Sequence, residues 1–166
     1  HIITDEHIME DRQDNVIGTT KRGVGQAYRD KYWRKGLRAE QVEKLKPYLI
    51  DMYEEFYNPL KVCRILFEGA QGFGLDINWT NNYPYCTSST CTFAGAVNTG
   101  FPLKKLRNVY GCSKAYDTYV GAMDFQPKDD LMLEQICELG LERGATTGRK
   151  RQCNYGYHSR NKKIRP

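Results

Sequence analysis

One short segment of this 166-residue chain combines side chains that bind anions. Arg143–Arg151, with the sequence RGATTGRKR, brings together glycines, two adjacent threonine hydroxyls and several arginines. Arginine binds a carboxylate or a phosphate through two parallel hydrogen bonds, and hydroxyls supply further donors. The segment therefore predicts a site for an anionic substrate. A solvated basic loop and a nucleic-acid surface are the alternatives that composition leaves open.

A second candidate is Ile65–Ile77, with the sequence ILFEGAQGFGLDI. Its apolar start, Ile65–Phe67, predicts a strand buried on both faces, which breaks at Glu68 into the closely spaced glycines Gly69, Gly72 and Gly74. Glycines at the carboxyl end of a strand let the backbone approach a ligand closely. Gln71 lies inside this turn and carries both a donor and an acceptor. The spacing matches neither a dinucleotide fingerprint nor a P-loop, so a plain tight turn is the alternative.

Hydroxyl side chains crowd the next segment, Asp76–Gly100. They are Thr80, Thr87, Ser88, Ser89, Thr90, Thr92 and Thr99. Such density suits local turns in which hydroxyls bind the backbone. It equally suits a loop that surrounds phosphate or sugar oxygens with donors.

Helical and strand patterns alternate around these segments. Asn15–Thr20 predicts a short strand, and Lys21–Arg38 predicts a helix opened by glycines, in which Lys31 and Arg34 could share a face. Ala39–Tyr57 has apolar residues at spacings of three and four, with an interruption at Pro47. A strand at Val62–Phe67 is expected to follow. Helix followed by buried strand is typical of an α/β fold.

The second half continues this alternation. Ala94–Thr99 predicts a helix, and Val109–Val120 predicts a strand that contains Lys114. Since an isolated buried lysine is costly, Lys114 is expected to be exposed or paired with an anion. Asp124–Lys128 predicts a loop, and Asp130–Leu139 has helical periodicity.

Composition excludes several classes of protein. No run of 18 apolar residues is present, so no membrane span is expected. The six cysteines form no Cys-x-x-Cys pair and the three histidines are scattered, so no metal cluster is predicted and reduced thiols in the cytoplasm are expected. The acidic first residues do not resemble a signal peptide, and without an initiator Met we expect an excerpt or a processed piece. The net charge of +5 is local, because residues 149–166 carry seven Lys or Arg and no acid.

Four stretches, in this order along the chain, together resemble the adenylosuccinate synthetase family. They are IGTTKRGVGQAYRDKYWRKGLR (Ile17–Arg38), ILFEGAQGFGLDI with NYPYCTSS (Ile65–Ser89), SKAYDTYVG (Ser113–Gly121) and GATTGRKR (Gly144–Arg151). The resemblance implies an α/β fold related to P-loop NTPases, with a central, mostly parallel sheet. It implies a cytoplasmic ligase that joins L-aspartate to C6 of IMP. In such a ligase, the γ-phosphoryl group of GTP moves to the purine O6, and the aspartate amine then displaces that phosphate.

The resemblance also implies roles for individual residues. Thr20 and Thr87 resemble hydroxyls that contact the nucleotide phosphate, and Gln71 resembles the catalytic glutamine at the bound nucleotide. Arg34 resembles the arginine that reaches the nucleotide of a neighbouring subunit, which implies a homodimer. The mobile loop that captures aspartate corresponds to Ala145, Thr146, Thr147, Gly148, Arg149, Lys150 and Arg151. Within that loop Arg149 is expected between aspartate and nucleotide, and Arg151 near the triphosphate.

The family's N-terminal phosphate-binding loop, with its general base, and the Gly-His-Thr segment have no counterpart in these residues, nor do the C-terminal guanine-recognition segments. Residues 1–166 therefore correspond to a partial domain that is expected to be inactive alone. The resemblance implies Mg²⁺, with ligands in the N-terminal segment, and GTP or ATP as phosphoryl donor.

Two alternatives remain at this point. One is the phage-type ligase that acts on GMP or dGMP to make 2-aminoadenylosuccinate. The other is a non-enzymatic nucleic-acid-binding module that uses the basic residues 149–165 with Tyr155 and Tyr157 as stacking partners. Because that module leaves Gln71 and the hydroxyl-rich loop unexplained, nucleic acid is the less favoured partner.

Overall fold

The computed structural model describes residues 1–13, 16–60, 64–89, 94–125, 130–144 and 147–154. The chain divides into two compact units. The first unit combines His1–Gly36 with Cys112–Pro166, and the second unit is Leu37–Gly111. None of the described helices has both the length and the apolar composition needed to cross a membrane.

The described elements are mixed helix and strand. In chain order the helices are α1 (Asp5–Gln13), α2 (Val24–Tyr32), α3 (Met52–Tyr57), α4 (Ala94–Thr99) and α5 (Asp130–Leu139), and the strands are β1 (Asp117–Tyr119) and β2 (Gln152–Asn154). Short 3₁₀ turns occupy Ala39–Gln41, Glu43–Tyr48, Phe73–Leu75 and Leu103–Lys105.

In the first unit, polar contacts join α1 to α2. The Arg29 guanidinium binds both carboxylate oxygens of Glu10, at 2.5 and 3.0 Å. The buried His7 accepts the Thr4 backbone N–H at Nδ1, and its Nε2 lies 3.1 Å from the Asp30 carboxylate. These contacts hold the last turn of α2, which lies within the first of the motif segments, against α1.

Also in the first unit, β1 and β2 form an antiparallel pair in which Thr118 lies opposite Cys153. Helix α5 packs against β2. The buried thiols of Cys137 on α5 and Cys153 on β2 lie 4.0 Å apart. Burial is the main reason that the pKa of Cys153 rises to about 11. This packing fixes the strand that directly follows the basic loop.

In the second unit, the helix predicted over Ala39–Tyr57 is interrupted, as expected, but the break lies at residues 49–51 and only Met52–Tyr57 is α-helical. Pro47 lies inside a 3₁₀ turn, and α3 begins only at Met52, where the Asp51 side chain accepts the N–H groups of Tyr53 and Glu54. Phe101 makes edge-to-face contacts with Phe56 and Phe67 at centroid distances of 5.3 and 5.1 Å. This aromatic cluster links α3 to the segment that follows α4.

The strand predicted at Ile65–Phe67 is wrong for the structure as described. Residues 64–70 form no ladder, and Leu66 is 82 % exposed. An apolar run becomes a buried strand only when neighbouring strands pair with it, and the only named strands of the described residues lie in the first unit. Lys61, Val62 and Cys63 lie outside the described residues. The parallel central sheet stays a prediction.

Three other predictions need correction. The strand expected over Val109–Val120 is confined to Asp117–Tyr119. Residues 16–20 form no strand, because residues 16 and 17 lie in a bend and Gly18 has a left-handed φ of 71°. Arg34 does not share a helix face with Lys31, because α2 ends at Tyr32 and Arg34 has a left-handed φ of 61°. Helices α4 and α5 have the predicted bounds.

Candidate anion-binding site

The basic loop is a closed hairpin in the first unit. Arg143 and Lys150 form an antiparallel bridge, and the Gly144 N–H donates to the Arg149 carbonyl at 2.8 Å. The Gly148 N–H donates to the Gly144 carbonyl at 2.8 Å, with Gly148 at a left-handed φ of 64°. The exposed side chains of Thr147 and Arg149 therefore lie on a segment that is hydrogen-bonded to Gly144.

Arg149 reaches the segment that precedes α2. Its Nη2 donates to the Gly18 carbonyl at 2.8 Å, across 131 positions of sequence. The same segment is held from the other side by the Ala122 N–H, which donates to the Ile17 carbonyl at 3.2 Å. The exposed Thr20 lies two residues beyond this contact. Arg149 therefore contacts the segment that carries Thr20.

A buried carboxylate fixes the turn that carries Thr20. Asp11, 3 % exposed, accepts the Thr19 hydroxyl at 2.7 Å and the Gly23 N–H at 2.8 Å. The Lys21 ammonium donates to the Asp11 backbone carbonyl at 3.0 Å. Because Asp11 satisfies donors on both sides of Thr20, the turn between Ile17 and α2 has little conformational freedom.

A second buried carboxylate, Glu142, lies at the base of the hairpin and is 4 % exposed. Its Oε1 accepts Lys114 Nζ at 2.5 Å and the Tyr116 hydroxyl at 2.6 Å. Its Oε2 accepts Arg151 Nη1 at 3.2 Å, and its backbone carbonyl accepts the Arg151 N–H at 2.9 Å. Lys114 is therefore paired with an anion, as one of the two sequence expectations stated.

The charges around Glu142 set its protonation. Burial alone would raise the pKa of Glu142, but hydrogen bonds from Lys114 and Tyr116, with the charges of Lys114 and Arg151, outweigh burial and hold the pKa below its ordinary value. The hydrogen bond to Glu142 raises the pKa of Tyr116 to about 12. Glu142 is ionised and Tyr116 neutral at neutral pH.

In the second unit, a third buried carboxylate organises the hydroxyl-rich loop. Asp76 is fully buried, and its side chain accepts the Asn78 N–H at 2.8 Å and the Ser89 hydroxyl at 3.1 Å. Asp76 also bridges Thr87 in parallel, with the Thr87 N–H donating to the Leu75 carbonyl at 2.8 Å. Burial, and then the Asp76 charge, raise the pKa of Cys86.

Gln71 lies at the exposed glycine-rich turn just before the Phe73–Leu75 3₁₀ turn. A Cβ added at any of the three neighbouring glycines would meet no atom within 4 Å, and none of the three has a positive φ. The described chain thus gives no steric or conformational reason for glycine at Gly69, Gly72 or Gly74. Approach of a ligand to the backbone is a reason that remains.

Similarity to known proteins identifies the family of this chain. The family model described as adenylosuccinate synthetase matches residues 1–46 and 39–157. The chain belongs to the adenylosuccinate synthetase family. Adenylosuccinate synthetases of Photobacterium profundum and Petrotoga mobilis are each 35 % identical to it, over 201 and 195 aligned positions. These alignments cover 93 % and 91 % of this chain and 46 % of each relative, so the chain spans about half the length of these curated relatives.

A solved structure of this family has the same fold over this region. The structure of fully ligated adenylosuccinate synthetase from Plasmodium falciparum superposes with a TM-score of 0.72 at 29 % identity. The superposition covers 93 % of this chain and 48 % of that chain. The fold described above is therefore a portion of an adenylosuccinate synthetase fold.

The structure distributes the site residues suggested by the family resemblance between the two units. Thr20, Arg34 and the loop residues Thr147, Gly148, Arg149, Lys150 and Arg151 lie in the first unit, and Gln71 and Thr87 lie in the second. Ala145 and Thr146 lie outside the described residues. Thr20 and Arg149 share one region, whereas Arg34 is exposed beyond the end of α2, and Arg151 is bound to Glu142.

Sequence reasoning missed the three buried carboxylates, Asp11, Asp76 and Glu142. Glu142 had a partial sequence signal, because Lys114 required an anion and Glu142 directly precedes the RGATTGRKR segment. Asp76 lies next to the end of the glycine-rich segment, and nothing in the sequence around it indicates a buried acid. Asp11 lies in an acidic helix in which no spacing distinguishes it from its neighbours. The burial of these three acids is visible only in the folded structure.

Proposed function

We propose that this chain supplies part of the active site of a ligase that joins L-aspartate to C6 of IMP, with GTP as phosphoryl donor, to form adenylosuccinate. Family membership and the match to a ligated family structure support this assignment. GMP or dGMP as acceptor, giving 2-aminoadenylosuccinate, is the alternative within the same chemistry.

The observation that carries the proposal is the contact of Arg149 with the Gly18 carbonyl. It brings the basic loop beside the Thr20 turn, and these are two of the four segments that resemble the family. A phosphorylated nucleotide and a dicarboxylic amino acid both need guanidinium, hydroxyl and backbone N–H donors. In the first unit, Arg149 and Thr20 supply a guanidinium and a hydroxyl, and both residues are exposed to solvent.

The chain's own residues act by positioning and by charge neutralisation. The Thr20 hydroxyl binds the nucleotide phosphate, and the loop residues Thr147 and Arg149 bind the aspartate carboxylates. By resemblance to the family, Gln71 and Thr87 also contact the nucleotide. With the phosphoryl group on the purine O6, the aspartate amine attacks C6 and the phosphate leaves, so the donors neutralise charge on the departing oxygens.

In relatives of this kind Mg²⁺ supplies charge neutralisation at the triphosphate. No three metal-ligating side chains converge in residues 1–13, 16–60, 64–89, 94–125, 130–144 and 147–154. The described residues do not by themselves form a Mg²⁺ site. We propose in addition a homodimer in which the exposed Arg34 contacts the nucleotide of the second copy.

The proposal is tested by incubating the full-length protein with L-aspartate and MgCl₂, pairing IMP, GMP or dGMP with GTP or ATP. Mass spectrometry then detects the aspartyl adduct. An adduct of IMP is expected. If only GMP or dGMP gives an adduct, the acceptor is GMP or dGMP and not IMP. No adduct with any pair, together with salt-sensitive binding of single-stranded DNA, would overturn the proposal in favour of a nucleic-acid-binding module.

A further inference from the structure

We propose that Glu142 is a positioning residue that holds residues 147–151 against Arg143 and Gly144, so that Arg149 can bind aspartate. This inference rests on the proposed function and adds a residue that the family resemblance did not assign. It concerns the first unit alone. Glu142 would touch no substrate, and it would act through the loop that does.

Glu142 accepts two hydrogen bonds from Arg151, one at its side chain and one at its backbone. Its side chain accepts Arg151 Nη1 at 3.2 Å, and its backbone carbonyl accepts the Arg151 N–H at 2.9 Å. The next pair along the hairpin is the Arg143–Lys150 bridge, and beyond it Gly144 donates to Arg149. The side chain and the backbone of Glu142 therefore close the base of the loop that presents Arg149.

Glu142 also ties this base to a different part of the chain. Lys114 and Tyr116 lie just before β1, and both donate to Glu142 Oε1, at 2.5 and 2.6 Å. Strand β1 pairs with β2, which begins directly after Arg151. One carboxylate thus connects the residues that directly precede β1 with the residue that directly precedes β2.

The anchoring carboxylate is buried, while the tip of the loop is exposed. Glu142 is 4 % exposed, whereas Thr147 and Arg149 are exposed to solvent. A buried carboxylate with three donors is costly to disturb, because loss of its charge weakens all three contacts together. Thr147 and Arg149 can therefore bind a ligand while the contacts of Glu142 stay unchanged.

The test uses Glu142→Gln in the full-length protein, with Glu138→Gln as the matched control. Glu138 is an exposed carboxylate at the end of the neighbouring helix α5. Glu142→Gln should raise the KM for aspartate about tenfold, the size expected for a weakened charge-assisted hydrogen bond. The KM for the purine monophosphate should change less than about twofold, and Glu142→Asp should recover part of the loss. An unchanged aspartate KM, or an equal rise in the KM of every substrate, would overturn the proposal.

A second measurement is independent of ligase activity. Trypsin cleaves after Arg149, Lys150 and Arg151, and cleavage requires the hairpin to open. Relative to cleavage after Arg107 in the second unit, cleavage in the hairpin should rise about tenfold in Glu142→Gln and not in Glu138→Gln. Should Glu142→Gln fail to fold, Tyr116→Phe removes one donor and should shift both readouts less, in the same direction. Unchanged hairpin cleavage would overturn the positioning role, whereas absence of any aspartyl adduct from the parent would overturn the proposed function instead.

Discussion

Asp11, Asp76 and Glu142 are acids that the fold buries almost completely, and each accepts hydrogen bonds from at least two groups. Three of the residues proposed to touch substrate, Thr20, Gln71 and Arg149, are exposed, whereas Thr87 is half-buried. Exposed arginines and hydroxyls lose affinity for an anion when they are free to adopt many rotamers. At the residue scale, the buried carboxylates restrict the backbone that carries the exposed donors.

Asp30 provides a pH test at this scale. A hydrogen bond from His7, and then one from Arg29, hold the pKa of Asp30 below its ordinary value. A lowered folded-state pKa contributes stability above the unfolded value, about 3.9, and this contribution is lost as the pH falls through the folded value. Asp30→Asn should therefore lower the urea midpoint at pH 7, and the difference from the parent should shrink at pH 3.

Glu134→Gln is the control for that prediction, because Glu134 is exposed on α5. This control should leave the urea midpoint close to that of the parent at both pH values. A deficit of Asp30→Asn that is the same at pH 7 and pH 3 would contradict the assigned contacts.

At the element scale, the first unit depends on the close approach of α1 and α2. Gly23 precedes α2 at a left-handed φ of 72°, and a Cβ there would lie 2.7 Å from the His7 carbonyl carbon and 2.8 Å from the Ile8 nitrogen. Both atoms belong to the α1 backbone, which cannot yield as a flexible side chain would. Gly23 is therefore required by its conformation and by its neighbours.

Gly23→Ala and Gly25→Ala form a matched pair that tests this packing. Gly23→Ala should destabilise the protein by more than about 1–2 kcal/mol, the cost of a left-handed residue before any clash is added. Gly25 lies inside α2 with no atom within 4 Å of an added Cβ, so Gly25→Ala should stabilise by about 0.5 kcal/mol. Urea denaturation measures both, and a Gly23→Ala variant as stable as the parent would contradict the α1–α2 contact.

Elements with a local cause were predictable from sequence. The periodicity of residues 130–139 predicts α5, and Pro47 predicts that no continuous α-helix runs through the segment before α3. The strand predicted at residues 65–67 failed because a strand depends on partners distant in sequence, and apolar character does not reveal whether they are present. For the site, residue types indicated anion binding in the 143–151 loop, but the contact of Arg149 with Gly18 and the burial of Glu142 depend on tertiary packing.

At the scale of the whole molecule, the alignments show where this chain differs from longer relatives. The alignment with the Photobacterium profundum relative has 201 positions, more than the 166 residues of the chain, so that relative contains segments with no counterpart here. The two family matches overlap at residues 39–46, where the structure has two short 3₁₀ turns. One of the four motif segments lies before this overlap and three lie after it.

The central claim is that the Arg149 loop and the Thr20 turn form one site for aspartate and nucleotide. The most direct measurement is steady-state kinetics of Arg149→Leu in the full-length protein, beside Arg107→Leu as an exposed control in the second unit. Arg149→Leu should lower kcat/KM for aspartate about hundredfold or more, the loss expected for one charge-stabilising donor, while Arg107→Leu stays within about twofold of the parent. A folded Arg149→Leu variant with the turnover and aspartate KM of the parent would contradict the claim.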